Sequence, residues 1–122
     1  MKFYQYQKCE SCRKARMWLD QKGVAYESIE IREFPPTEKE LKSMLAKHGG
    51  QFKKLFNTSS KDYRDPQVKD NLPQMSESEI LSILSSRGNL VKRPFLIGKD
   101  LHLQGFKAEI WEKAFQDSMQ RS

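Results

Sequence analysis

The sequence predicts an α/β (α+β) domain built on a four-stranded mixed sheet, with a helical insertion between the two halves of that sheet. Three observations predict it. Residues 2–31 read as strand, helix, strand; residues 95–115 read as strand, turn, strand, helix; and helix-start signals punctuate the stretch between them. At 122 residues the chain is one domain by length, long enough to bury a core without disulfides or metals to staple it.

Each element has its own reason. Lys2 to Tyr6 is short and aromatic-rich, which suits a strand. Cys12, Ala15, Trp18, Leu19 and Lys22 recur at helical spacing, and Gly23 stops that helix as a C-cap residue would. Ala25 to Ile31 is a second strand, with Ile29 and Ile31 on one face. Glu33-Phe34-Pro35-Pro36 is a break. Thr37 with Glu40 then forms a capping box for a helix carrying Leu41, Met44, Leu45 and His48, ended by Gly49-Gly50. Phe52 to Leu72 is polar with scattered apolar residues, the composition of short helices and turns. A second capping box, Ser76 with Glu79, opens a helix through Ile80, Ile83 and Leu84 that closes near Gly88. Phe95 to Ile97 is a strand, Gly98-Lys99-Asp100 a hairpin turn, and Leu101 to Leu103 its return. The last helix follows Gly105 with Ile110, Trp111, Ala114 and Phe115 on its buried side, and Gln116 to Ser122 reads as a frayed polar end. Parallel pairing of the first two strands needs a right-handed crossover, and the late hairpin completes the sheet. That order, βαβ…ββα, is thioredoxin-like: residues 1–34 and 89–116 make the core, and 35–88 a helical insertion subdomain.

No apolar run reaches bilayer-spanning length, and Met1 to Gln5 lacks the apolar region of a signal peptide, so the expected location is cytoplasmic, with no membrane partner. Thiols are held reduced there, and a CxxC reads as catalytic, redox-sensing or metal-binding before it reads as a staple. Net charge is +6, from 22 Lys+Arg against 16 Asp+Glu, which favours anionic partners: oxyanions, nucleic acid or acidic protein surfaces. The plainer reading is a well-solvated basic surface. The basic residues are dispersed and not interleaved with aromatics, so no direct nucleic-acid contact is expected.

The chain's two cysteines are Cys9 and Cys12, at the first strand-to-helix turn. A sulfur just ahead of the helix faces the free N–H groups of its first turn, whose partial positive charge favours a thiolate. Lys8 and Arg13 flank it and push the same way, so Cys9 is expected to be the attacking thiol with a lowered pKa. Cys12 follows one helical turn later, within the separation a disulfide requires, deeper and protonated, ready to resolve an adduct on Cys9 through a redox-active Cys9–Cys12 disulfide. Two other readings compete. A closed structural zinc site needs four ligands, and His48 and His102 are single residues with no paired spacing, so no metal is expected. Two inert buried thiols would also pack well.

A second candidate is "NLVKRPFLIG", residues 89–98. Pro94 is suited to a cis bond that aims backbone groups at the neighbouring turn, and Arg93 would then clamp an oxyanion at Cys9 bidentately. The competing reading is a surface arginine before a trans proline. In "LFNTSSKDYRD", residues 55–65, Asn57, Thr58 and Ser59 most simply make turns and caps, while Tyr63 and Arg64 read as a packing and surface pair.

Four stretches, "CESCRKARMWLDQKGVAYESIEI", "LFNTSSKDYRD", "LVKRPFLIG" and "LQGF", resemble in that order the arsenate reductase/Spx–MgsR family of glutaredoxin-like proteins, over Lys2 to about Phe115. The resemblance implies a thioredoxin-like fold with a helical subdomain, and two different activities. In glutaredoxin-coupled arsenate reductases, the cysteine that matches Cys9 attacks the oxyanion, arginines hold it, and glutathione as co-substrate with glutaredoxin releases the product. In Spx-type regulators the CxxC is a disulfide switch, and the protein binds the C-terminal domain of the RNA polymerase α subunit. Arg13, after three intervening residues, matches the arginine that follows the catalytic cysteine, and Arg93 with Pro94 matches the "RP" motif. Asn57 and Gly105 stand where two further anion-binding arginines would lie, and Gln5 replaces the histidine four residues before the cysteine. Two lost charge-assisted contacts remove about 3–6 kcal/mol of binding to a dianion. The resulting expectation is a thiol-dependent redox protein with no bound cofactor, acting on a small oxyanion or a disulfide with glutaredoxin or thioredoxin; the alternative is an Spx-like, redox-switched regulator of RNA polymerase.

Overall fold

In the computed structural model, which describes residues 1–120, the element order is the expected one. Strand β1 (Lys2–Gln5), helix α1 (Glu10–Gln21) and strand β2 (Glu27–Glu30) come first. Helices α2 (Glu38–Lys47), α3 (Lys61–Arg64), α4 (Pro66–Lys69) and α5 (Glu77–Ser86) follow, with single 3₁₀ turns at Phe52–Leu55, Leu72–Gln74 and Gly88–Leu90. Strands β3 (Phe95–Ile97) and β4 (His102–Gln104) and helix α6 (Ala108–Gln120) complete it. The chain divides into two compact units, one of residues 1–30 with those from Arg93 onward, the other Ile31–Lys92.

The first unit is a mixed sheet in the order β2-β1-β3-β4. β1 runs parallel to β2, with Tyr4 opposite Ile29, and antiparallel to β3, with Phe3 opposite Leu96. β3 and β4 form the hairpin, closed by Gly98 N–H donating to Leu101 O at 2.8 Å. Phe3 and Tyr4 are both buried, as an inner strand requires. Ala15 and Leu19 of α1, Trp111 of α6, and Phe3, Leu96, Leu101 and Leu103 make one core. An aromatic cluster extends it: the Trp18 ring stands edge-on to Trp111 at 5.7 Å, and Phe106 to Trp111 at 5.0 Å.

In the second unit both capping boxes form as the sequence predicts. Thr37 and Ser76 accept from the N–H groups of Glu40 and Glu79, whose carboxylates return to the cap N–H groups. Leu41, Met44 and Leu45 of α2 and Ile80, Leu81 and Leu84 of α5 are buried, and the two helices pack together. Gly88 has no room for a side chain: a Cβ there would lie 1.8 Å from Ile31 O.

Several boundaries and faces differ from the sequence reading. β2 begins two residues later than Ala25 and ends at Glu30, leaving Ile31 buried in the turn beyond it. β4 is offset by one residue, because Leu101 is used to close the turn. Lys22 is the exposed C-cap of α1, its ammonium 5.6 Å over the Trp18 ring. Ile110 is 54% exposed. Trp111, Ala114 and Phe115 hold the buried stripe of α6, and a residue one step before Trp111 points about 100° away from it. α6 continues through Gln116 to Gln120, where a frayed end was expected; Arg121 and Ser122 lie outside the described residues.

Candidate functional site

α1 starts because Cys9 caps it. Cys9 is extended (φ −88°, ψ 123°), and its Sγ accepts the Cys12 N–H at 3.3 Å, the third-residue N–H that a serine or aspartate N-cap would take. Ser11 Oγ lies 3.3 Å from the same sulfur. Cys9 is half-buried, Cys12 is fully buried, and both are free thiols. The thiol hydrogen of Cys12 is donated to Cys9, and this hydrogen bond is the largest influence pulling the Cys9 pKa down to about 5. Burial opposes it, while Ser11, the Cys12 backbone N–H and the Arg93 charge add to it. The same hydrogen bond, reinforced by burial, pushes Cys12 far up; a hydrogen bond from the Tyr6 backbone and the Arg93 charge only partly counter it. The two thiols are thus sharply different: one anionic at neutral pH, one protonated.

Arg93 supplies the positive charge. The Arg93–Pro94 peptide is cis, as the sequence predicts, and Arg93 O lies 3.5 Å from Ser11 Oγ. The guanidinium carbon sits 5.0 Å over the Tyr6 ring. Arg93 Nη1 is buried with no hydrogen-bond partner among the described residues. A buried guanidinium N–H without an acceptor is costly, and it is the polar atom here that a bound anionic group would satisfy.

Arg13 is placed otherwise than the sequence reading has it. Its guanidinium is held by Glu10, with Nη2–Oε1 at 2.5 Å and Nε–Oε2 at 3.2 Å, and Nη1 reaches Met17 Sδ at 3.2 Å. The pair is exposed, and the charge that acts on Cys9 is that of Arg93, not Arg13 or Lys8. A third arginine, Arg16, is bound to Gln5 Oε1 and reaches Gln7 O at 3.4 Å; Gln5 in turn donates to Ser28 at 3.0 Å. Gly105 is at φ 75°, its N–H donating to Pro94 O at 2.8 Å and its carbonyl accepting Trp111 Nε1 at 3.0 Å. That turn favours glycine and would strain an arginine. Asn57 serves as a local turn residue: its N–H donates to Leu90 O at 2.7 Å and its Oδ1 accepts Ser59 N–H at 3.3 Å. Ser60 caps α3, and Tyr63 packs on Phe56 with centroids 5.7 Å apart.

Two further site residues, Ser11 and Tyr6, are not singled out by the spacing of the cysteines or by the Arg93-Pro94 pair. A hydroxyl inside the first turn, between two cysteines, was the available signal for Ser11; Tyr6 gave none, because its partner Arg93 lies at the far end of the chain. Among the described residues no group of three or more His, Cys, Asp or Glu could hold a metal ion, and no helix is long and apolar enough to cross a membrane.

Comparison with known proteins agrees with this architecture. A family model described as the ArsC family matches residues 4–114. YusI of Bacillus subtilis is 43% identical over 91% of this chain and 94% of its own. The global transcriptional regulator Spx of Streptococcus agalactiae is 29% identical over 83% of this chain and 72% of its own. The crystal structure of a "possible arsenate reductase" from Streptococcus mutans superposes with a TM-score of 0.79 at 36% identity, covering 91% of this chain and 96% of that one.

Proposed function

The chain belongs to the ArsC family, and on that footing we propose that it is a thiol-dependent reductase in which Cys9 is the nucleophile and Cys12 the resolving thiol. The observation that carries this reading is the asymmetry of the pair: Cys9 held as a thiolate by hydrogen bonds at a helix N-terminus, and Cys12 buried and protonated one turn away. A structural pair of inert thiols has no need of that difference.

The arginines favour a disulfide over a tetrahedral oxyanion dianion as substrate. Arg13 is taken by Glu10 and Arg16 by Gln5, while Gly105 and Asn57 serve as turn residues, which leaves the buried Arg93 Nη1 to meet a substrate anion. One guanidinium edge suits a single carboxylate, such as those of a glutathionyl group. In the first step Cys9 S⁻ attacks one sulfur of the substrate disulfide; the new S–S bond forms and the other sulfur leaves with the electron pair. Cys12 then gives up its proton and attacks the Cys9 sulfur. The second substrate thiolate departs and is protonated, and a Cys9–Cys12 disulfide is left. Glutaredoxin, thioredoxin or glutathione returns two electrons to that disulfide.

The test is a turnover assay with glutathione-mixed disulfides and arsenate, each coupled to glutaredoxin and to thioredoxin. Turnover of the mixed disulfide that vanishes in Cys9→Ser, with a substrate adduct trapped on Cys9 by mass spectrometry in Cys12→Ser, is the expected result. Activity surviving in Cys9→Ser, or no turnover of either substrate with either donor, ends the proposal.

A second reading follows from the similarity to Spx: a regulator that binds the C-terminal domain of the RNA polymerase α subunit, with the same Cys9–Cys12 disulfide as its switch. It requires a complex with that domain in at least one redox state, and a negative result by calorimetry in both states removes it.

A further inference from the structure

Ser11 is half-buried at the second position of α1, and its hydroxyl has two neighbours: Cys9 Sγ at 3.3 Å and Arg93 O at 3.5 Å. A serine hydroxyl carries one hydrogen. The carbonyl can only accept, and so can the sulfur when it is a thiolate, so one hydrogen is contested by two acceptors. An anionic acceptor outcompetes a neutral carbonyl at similar distance. A sulfur already in a disulfide is a weak acceptor, and there the order reverses.

From this geometry we infer that Ser11 is a hydrogen-bond switch at the reacting sulfur, donating to Cys9 while that sulfur is anionic and turning to the Arg93 carbonyl once it is bonded to a second sulfur. No proton is transferred; only the O–H bond rotates. As Cys9 attacks, its electron pair becomes the new S–S bond, the substrate S–S bond breaks towards the leaving sulfur, and Ser11 loses its better acceptor. The donor that stabilises the free thiolate is thereby withdrawn from the adduct. Ser11 thus tunes both the acidity of Cys9 and the redox poise of the pair, because stabilising the reduced thiolate disfavours the disulfide. The acidity half of this inference stands on geometry alone, and the reversal rests on the proposed attack by Cys9.

The experiment is iodoacetamide alkylation of Cys9 in the reduced full-length protein as a function of pH, followed by mass spectrometry of the singly modified species. Ser11→Ala is expected to raise the midpoint by about one pH unit or more, as loss of a hydrogen bond to a charged group should. Ser11→Gly should do the same, and Ser11→Thr, which keeps the hydroxyl, should retain the wild-type midpoint. In glutathione redox buffers Ser11→Ala should hold more of the Cys9–Cys12 disulfide at equilibrium than wild type. The carbonyl carbon resonance of Arg93, read in carbon-detected spectra, should move on alkylation of Cys9 in wild type and stay still in Ser11→Ala. An unchanged midpoint in Ser11→Ala, or a raised one that threonine fails to restore, overturns the acidity role; an Arg93 resonance that does not move in wild type overturns the reversal. The alkylation midpoints and the Arg93 resonance need no disulfide substrate, so failure there leaves the reductase reading intact, and failed turnover with the expected midpoints would sink that reading while the acidity role of Ser11 stands.

Discussion

Cys9 does with sulfur what helix N-caps ordinarily do with oxygen, and this ties its charge to the start of α1. The thiol hydrogen of Cys12 is the leading cause of that charge, so Cys12→Ala should move the alkylation midpoint of Cys9 up from about 5 towards the ordinary thiol value of 9.0, and further than Ser11→Ala does. The shift also makes stability depend on pH. The folded-state value lies below the unfolded one, so folding is favoured by the thiolate; that contribution is complete above about pH 9 and is lost as pH falls through about 5. Urea titrations of the reduced protein across this window should show a fall in stability that Cys9→Ala lacks. Equal slopes in the two proteins would mean that the thiolate is not stabilised by folding. Much of this site was legible in the sequence, because Cys9 and Cys12 share one helical turn whose free N–H groups are fixed by local geometry. Of the arginines, Arg93 was legible too, through the cis bond expected at Pro94, and Arg13 was not. Arg13 is adjacent in sequence, yet its guanidinium is held by Glu10, and side-chain pairing of that kind is decided by rotamers that spacing does not specify.

Among the elements, α2 and α5 show what local sequence can specify and Gly88 what it cannot. Capping boxes are written within four consecutive residues, and both form. Removing one hydroxyl, Ser76→Ala, should cost about 1 kcal/mol in chemical denaturation. Gly88 looks in the sequence like a glycine that merely ends a helix. Its backbone instead packs against Ile31, where an added Cβ would meet a carbonyl oxygen at 1.8 Å. Gly88→Ala should therefore cost about 3 kcal/mol or more, because backbone cannot swing aside as a flexible side chain can. A loss under about 1 kcal/mol would show that the segment relaxes freely. Ile110 failed for a related reason. An apolar residue beside Trp111 extends an apolar pattern, but the stripe was narrower than the pattern, and only the packing of Trp111 with Trp18 and Phe115 says where it ends.

Over the whole molecule, the sheet unites residues from both ends of the chain, and the order of elements was enough to foresee it, since β1 needs a crossover partner in β2 and a second partner from the late hairpin. Trp111 is where α6 holds that arrangement, 1% exposed among Phe106, Trp18 and Phe115. Trp111→Ala should cost about 3–5 kcal/mol, measured by thermal or denaturant unfolding, with Trp111→Phe much milder. The same joining of distant segments bears on how the protein is made. Residues 31–92 are one uninterrupted stretch and can organise as they leave the ribosome, but β1 must wait for β3 before it becomes an inner strand. Until Arg93 has been added, the growing chain carries its two cysteines without the guanidinium that helps hold Cys9 anionic and without the second acceptor for Ser11. Translation itself thus acts as a delay on the chemistry: the fully tuned thiolate arrives only after the segment that begins at Arg93.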